Sequence, residues 1–149
     1  MQLTRAADYG VRAMVHLASL PAGARAGVAD LAKAAEVSPA FLTKVLQRLT
    51  GSGLLVAHRG PGGGFSLAAP ASEIALLQVV EAIEGPLSLN LCTGLCGAPA
   101  PLCHRQPWCA VHLVWMHAQE ELRKVLGGAS VGALARESAL RREALRGVE

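Results

Sequence analysis

The chain has 149 residues, a formal net charge of +3, 52% hydrophobic residues and only 3% aromatics. That length supports one domain with a sizeable core and excludes two independent ones, and a core of Leu, Val and Ala favours closely packed helices. No apolar run approaches the ~18 residues of a membrane span, and the start, MQLTRAADYG, lacks the basic flank and apolar stretch of a signal peptide. A cytoplasmic protein without a membrane partner is therefore expected. The charge is uneven: seven Lys/Arg against three Asp/Glu precede or include position 70, and seven against eight follow it. The positive excess lies in the first half, which points to phosphate contact there.

Helix 1 is expected over residues 4–20, with Thr4 as N-cap and Val11, Met14, Val15, Leu17 and Ala18 supplying its apolar positions. A short amphipathic helix follows over Val28–Ala35 (VADLAKAA). Ser38 then precedes Pro39, an N-cap followed by a proline in the first helical turn, so the next helix runs over residues 39–50 with Phe41, Leu42, Val45, Leu46 and Leu49 on its apolar face. Two short helices joined by a turn form a helix-turn-helix signature. LLVAHRGPGGGFSL adds two β-rich runs around a glycine-rich tip, which is a hairpin or wing. A further helix is expected over residues 72–84, capped at Ser72 and stopped by Gly85 and Pro86. A strong helix from about Cys109 to Leu126 carries Val111, Val114, Trp115, Ala118, Leu122, Val125 and Leu126 at i, i+3, i+4 spacing. This stripe must pack on something: a symmetry-related copy, the chain's own winged domain, or both. A last, arginine-rich helix spans residues 131–145.

The expected fold is mainly α with a small β-hairpin wing. A winged helix-turn-helix domain (1–85) leads to a cysteine-rich loop (86–108), then to a long C-terminal dimerisation helix and tail (109–149). The second helix of the pair can enter a major groove, with Ser38, Ala40, Phe41, Thr43, Lys44, Gln47 and Arg48 at its start or on its polar side. Arg59 at the wing, beside Gly60, Gly62, Gly63 and Gly64, is placed to reach a minor groove. The glycines do not make a nucleotide loop, because no G-K-[ST] follows and no βαβ unit surrounds them.

All four cysteines, Cys92, Cys96, Cys103 and Cys109, lie within CTGLCGAPAPLCHRQPWC. In a reducing compartment, soft thiolates gathered on one Gly/Pro-rich loop suit zinc or an iron-sulfur cluster better than a structural disulfide framework. The spacings x3, x6 and x5 do not repeat the C-x2-C knuckles of zinc ribbons. A four-cysteine zinc site remains one alternative. A metal-free thiol switch pairing Cys103 with Cys109, or Cys92 with Cys96, is another. No nucleophile-base pair, carboxylate dyad or phosphate loop argues for an enzyme.

MQLTRAADYGVRAM, RGPGGGFSLAAPASEI, LLQVVEAIEGPL and the cysteine loop together resemble the Rrf-two family of bacterial transcription factors, from the N-terminus to about Arg136. That family includes the iron-sulfur cluster regulator and the nitric-oxide-sensing repressor. The resemblance implies a homodimer on a palindromic double-stranded DNA operator, with the long helix crossing between subunits. It also implies an iron-sulfur cluster held by three cysteines and one further ligand, sensing nitric oxide, oxygen or redox state, or iron status. On this resemblance Cys92, Cys103 and Cys109 match the metal-binding cysteines. His112, three residues after Cys109, matches the ligand histidine of the iron-sulfur cluster regulator. Asp8, in ADYG, stands where the nitric-oxide-sensing type contributes an aspartate across the dimer, and it leans the cluster toward four irons over two. Cys96 is unassigned: with ten residues between Cys92 and Cys103, it can replace Cys92 as the early ligand or act as a resolving thiol. Trp108 and Trp115 are expected as core or dimer anchors.

Overall fold

The computed structural model describes residues 3–93 and 103–147. Among these, six α-helices and one hairpin follow in chain order: α1 (Arg5–Ser19), α2 (Val28–Ala35), α3 (Pro39–Gly51), β1 (Leu55–His58), β2 (Gly64–Leu67), α4 (Leu76–Glu84), α5 (Ala110–Gly128) and α6 (Val131–Arg146). Single turns of tighter helix lie at Leu91–Thr93 and Gln106–Trp108. The mainly α, winged helix-turn-helix architecture is the expected one. Among the described residues no helix is long and apolar enough to cross a membrane.

α1 runs through the centre and touches α2, α3, α4 and α6. Its Ala7, Ala13, Met14 and Leu17 are buried, and so is Gly10, where a side chain would run into Ile83 of α4 and Val45 of α3. Small residues on this face let α4 lie close against α1. The helix-turn-helix pair closes the core through Leu31, Ala35, Leu42, Val45, Leu46 and Leu49. Each larger aliphatic side chain among them contributes about 1.5–3 kcal/mol on burial. α2 ends at Glu36 in the left-handed region (φ 58°, ψ 46°), so the chain turns into α3 within a few residues. Thr4 is the N-cap of α1 as expected, but its side chain makes no cap bond; its backbone N–H and hydroxyl both reach Glu84 at the end of α4.

The hairpin is antiparallel, with Leu55 opposite Leu67 and His58 opposite Gly64. A third extended residue, not anticipated from the sequence, pairs with it: Ala26 N donates to Phe65 O at 3.0 Å and Phe65 N donates to Ala26 O at 2.9 Å. The wing is thus stitched to the entry of α2. Gly64 makes this approach possible, because its φ is +141° and a Cβ there would meet the Ala26 carbonyl.

α4 begins at Leu76, not at Ser72 as the sequence suggests. Residues 70–73 instead form a turn closed by Glu73 N donating to Pro70 O at 2.8 Å. Ile74 is buried, and the next stretch pairs with the start of α6: Leu76 N donates to Ala129 O and Val131 N to Ile74 O, both at 2.8 Å. These long-range backbone bonds replace the first helical turn. α4 takes its cap from Gln78, whose Oε1 accepts from Ala75 N at 2.8 Å. α6, N-capped by Ser130, folds back on α1.

α5 turns only part of its surface to its own domain. Gln119 is buried and Leu122, Arg123 and Leu126 are half-buried where it meets α4. Val111, Val114 and Val125 stay 55%, 64% and 68% exposed, beside exposed Leu113, Trp115 and Met116. The apolar stripe read from the sequence is therefore split, with its larger part unpartnered among the described residues.

Candidate nucleic-acid interface and cysteine loop

α3 is built to present its first turn. Ser38 Oγ accepts from Phe41 N at 3.4 Å, and Pro39 occupies the first helical position. Ser38, Ala40, Lys44 and Gln47 are exposed. Thr43 is half-buried, and its Oγ1 donates back to Pro39 O at 2.8 Å. Phe41 lies edge-on against Tyr9 of α1, with centroids 5.8 Å apart and planes at 84°, so the start of α3 is braced on α1. Lys44 has no ion pair among the described residues and is free to meet a phosphate. Arg48 is also exposed, but its Nη1 donates to Ile83 O of α4 at 2.8 Å.

At the wing, Gly60 and Gly62 have positive φ, and the turn closes through Gly63 N donating to Gly60 O at 2.9 Å. Arg59 projects from this turn exposed and without an ion pair among the described residues. His58 Nε2 and Ser66 Oγ, 2.8 Å apart, tie the two strands behind it. Arg59→Ala is expected to lower operator affinity about tenfold, and to reduce the slope of log affinity against log salt by about 0.9, the share of one phosphate. A salt titration with an unchanged slope would show that Arg59 does not reach DNA.

Cys92, Cys103 and Cys109 are free thiols, each half-buried, with Cys109 the N-cap residue of α5. Cys96 lies outside the described residues. His112 Nε2 is 3.2 Å from Gln106 Nε2, whereas its Nδ1 is buried and has no hydrogen-bond partner among the described residues. A buried imidazole nitrogen without a partner among the described residues calls for an explanation; with the Gln106 amide turned so that its oxygen accepts from Nε2–H, the Nδ1 lone pair is open to a metal or cluster. Asp8 is exposed and pairs with Arg12 at 2.9 Å; Arg12 also approaches Glu36 at 3.4 Å and the Tyr9 ring at 6.0 Å. Exposed pairs of this kind contribute about 0–1 kcal/mol, so Asp8 can change partners at little cost. Among the described residues no three His, Cys, Asp or Glu side chains converge into a metal site. The donor set is right in kind for a soft metal group, with Cys96 outside the described residues and Asp8 expected from a second copy.

Two polar groups that position this loop were not singled out from the sequence. Gln119 of α5 and Thr93, next to Cys92, are buried together, with Thr93 Oγ1 2.7 Å from Gln119 Oε1. The signal for Gln119 was a lone amide four residues after Trp115 and three before Leu122, inside an apolar stripe.

Comparison with known proteins agrees with this architecture. The profile of the Rrf2 family, described as iron-dependent transcriptional regulators, matches residues 3–137. Rv1287 of Mycobacterium tuberculosis (strain ATCC 25618 / H37Rv), named as an HTH-type transcriptional regulator, is 36% identical over 126 residues, covering 85% of this chain and 76% of its own. Among solved structures, CymR of B. subtilis, described as its global cysteine regulator, superposes with a TM-score of 0.72 at 19% identity, over 92% of this chain and 98% of that one. IscR of T. potens gives 0.72 at 20% identity, over 93% and 88%. CymR of Staphylococcus aureus gives 0.67 at 25%, over 89% and 96%. The chain belongs to the Rrf2 family: it is a DNA-binding transcriptional regulator of winged-helix type, not an enzyme.

Proposed function

We propose that this regulator is a cytoplasmic homodimeric repressor whose operator affinity is set by an iron-sulfur cluster on the cysteine loop, reporting nitric oxide, oxygen or redox state, or iron status. The observation that carries the reading is the buried Nδ1 of His112, without a partner among the described residues, three positions after the free, half-buried thiol of Cys109. Cys92, Cys103 and Cys109 would hold the cluster, with His112 or Asp8 of the partner subunit as the fourth ligand. When bound, such a cluster supplies an iron whose weaker oxygen or nitrogen ligand leaves it open to nitric oxide or oxygen, and easily lost in iron scarcity. Asp8 favours four irons over two.

The chain's own residues account for the rest. The exposed α5 stripe seats a second copy, and the pair presents two α3 helices whose spacing must match half-sites about 34–36 Å apart. Lys44 meets a phosphate, Arg59 reaches into the minor groove between the phosphate strands, and Ser38, Ala40 and Gln47 face base edges. A shift of a few kcal/mol between two dimer geometries suffices to switch occupancy, with the loaded loop holding DNA and the damaged or empty loop releasing it. Equal operator binding by both forms in band-shift titrations would sink this switch. Metal-free thiol switching is a second reading, favoured by the free, half-buried state of Cys92, Cys103 and Cys109.

The deciding measurement is the anaerobic absorption spectrum, with iron, sulfide and zinc content, of the protein and its variants. The expected result is a brown, sulfide-containing protein bleached by Cys92→Ala but not by Cys96→Ala. A colourless protein without sulfide after reconstitution overturns the cluster. In that case one bound zinc per chain points to a structural site, and an oxidant-dependent change in DNA affinity without metal points to the thiol switch.

A further inference from the structure

Polar contacts from three parts of the fold converge on the last turn of α4 and the residues just after it. Arg48 Nη1 of α3 donates to Ile83 O at 2.8 Å. Thr4 N, at the start of α1, donates to Glu84 Oε1 at 2.9 Å. Glu81 Oε1 accepts from Leu87 N at 2.9 Å and from Arg123 of α5. A few residues on, Leu89 N and Thr93 Oγ1 meet Gln119 Oε1 at 3.0 and 2.7 Å. Gln119 and Thr93 are only 5% and 9% exposed, so a lost bond leaves a buried polar group unsatisfied. The Thr93 hydroxyl carries one proton, yet Asn90 O and Gln119 Oε1 both lie 2.7 Å from it. It can donate to only one of them at a time.

We propose that the last turn of α4 couples the cysteine loop to the recognition helix, with Arg48 as a positioning residue on that turn instead of a phosphate contact. This rests on the reading of the loop as the sensor. A change at Cys92 reaches Thr93 directly, and the hydroxyl exchanges one acceptor for the other. Residues 87–89 carry the shift to Glu81 and the α4 terminus, and the Ile83 carbonyl passes it to Arg48 and α3. Coupling of this kind needs an element with two arrangements, and the alternative acceptors of Thr93 supply it.

The test is amide hydrogen exchange on full-length, reduced, metal-free protein, comparing the wild type with Gln119→Leu, Arg48→Met, Arg48→Lys and the Gln119→Leu/Arg48→Met double variant. Gln119→Leu is expected to speed α3 exchange about tenfold while α2 and α6 stay protected. Added to Arg48→Met it should change α3 no further, and Arg48→Lys, which keeps a donor, should resemble wild type. Unchanged α3 protection in Gln119→Leu overturns the proposal, and so does a uniform loss of protection across all helices. Operator affinity with the loop loaded and empty separates the two readings. An affinity change without exchange coupling sinks the coupling element and keeps the sensor, whereas exchange coupling without an affinity change keeps the coupling and sinks the sensor.

Discussion

Charge on the exposed face of α5, introduced as Val111→Glu with Val114→Glu, is expected to leave a folded monomer that no longer holds its operator. Both side chains are more than half exposed on the single chain, so the substitutions cost little within it. At a dimer seam they remove about 1.5–3 kcal/mol of burial each and force carboxylates into an apolar contact. Losing the second reading head then removes the gain from simultaneous engagement, roughly 10²–10⁴-fold in affinity. Sedimentation velocity with band shifts on an operator selected in vitro checks both steps. A double variant that stays dimeric and binds as wild type would place the interface elsewhere.

The second large effect lies at the base of the wing. Gly64→Ala puts a Cβ on a residue at φ +141°, against a backbone carbonyl whose carbon would be 2.9 Å away. The obstruction is main chain and cannot swing aside, so the Ala26–Phe65 pairing must open or the hairpin must refold. Backbone strain and lost pairing together cost about 3–4 kcal/mol, a large fraction of the ~5–15 kcal/mol that holds a domain of this size. At about 2–4 °C per kcal/mol, thermal unfolding should move down by about 10 °C. Gly51→Ala is the control, because a Cβ there meets open space; its midpoint should stay within about 2 °C. Equal midpoints for Gly64→Ala and wild type would mean that the wing is not fastened through Ala26.

Local signals were enough for much of this fold. α2 has the bounds its apolar spacing indicated, and Ser38-Pro39 marks the start of α3 because a cap and a preset φ act within a few residues. Distance in sequence is where the reading failed. Ser72 looks like a helix start, but the partners that hold residues 74–76 extended come from positions 129–131, more than fifty residues away. Ala26 has no strand-like neighbours, and only its pairing with Phe65 makes it part of the wing. For the site, the donor types were legible, since thiols and imidazoles declare their chemistry. Which of them face one another was not, because that depends on how α5 docks. Arg48 illustrates the limit well. Its place on the polar side of α3 suggested DNA contact, and nothing in the helix itself shows that a carbonyl of α4 lies within its reach.

The strap between the approach to α4 and the junction of α5 with α6 has a mechanical consequence. Leu76 N to Ala129 O, Val131 N to Ile74 O and Gly132 N to Ala71 O fasten the foot of α5 to the winged domain. The helix rises from that foot for 19 residues, about 28 Å, to Cys109 and the loop at its head. Gln119 and Arg123 pin its lower half to residues 81–93, so the free arm runs from Gln119 to Cys109, about 15 Å, and a tilt of about 10° at that anchor sweeps the head through roughly 2.5 Å, about half a helical turn. In the proposed dimer the same geometry would run in reverse: an ångström-scale rearrangement at the cysteines would become a change of a few degrees in the angle between two reading heads, enough to take them out of step with the turn of the double helix.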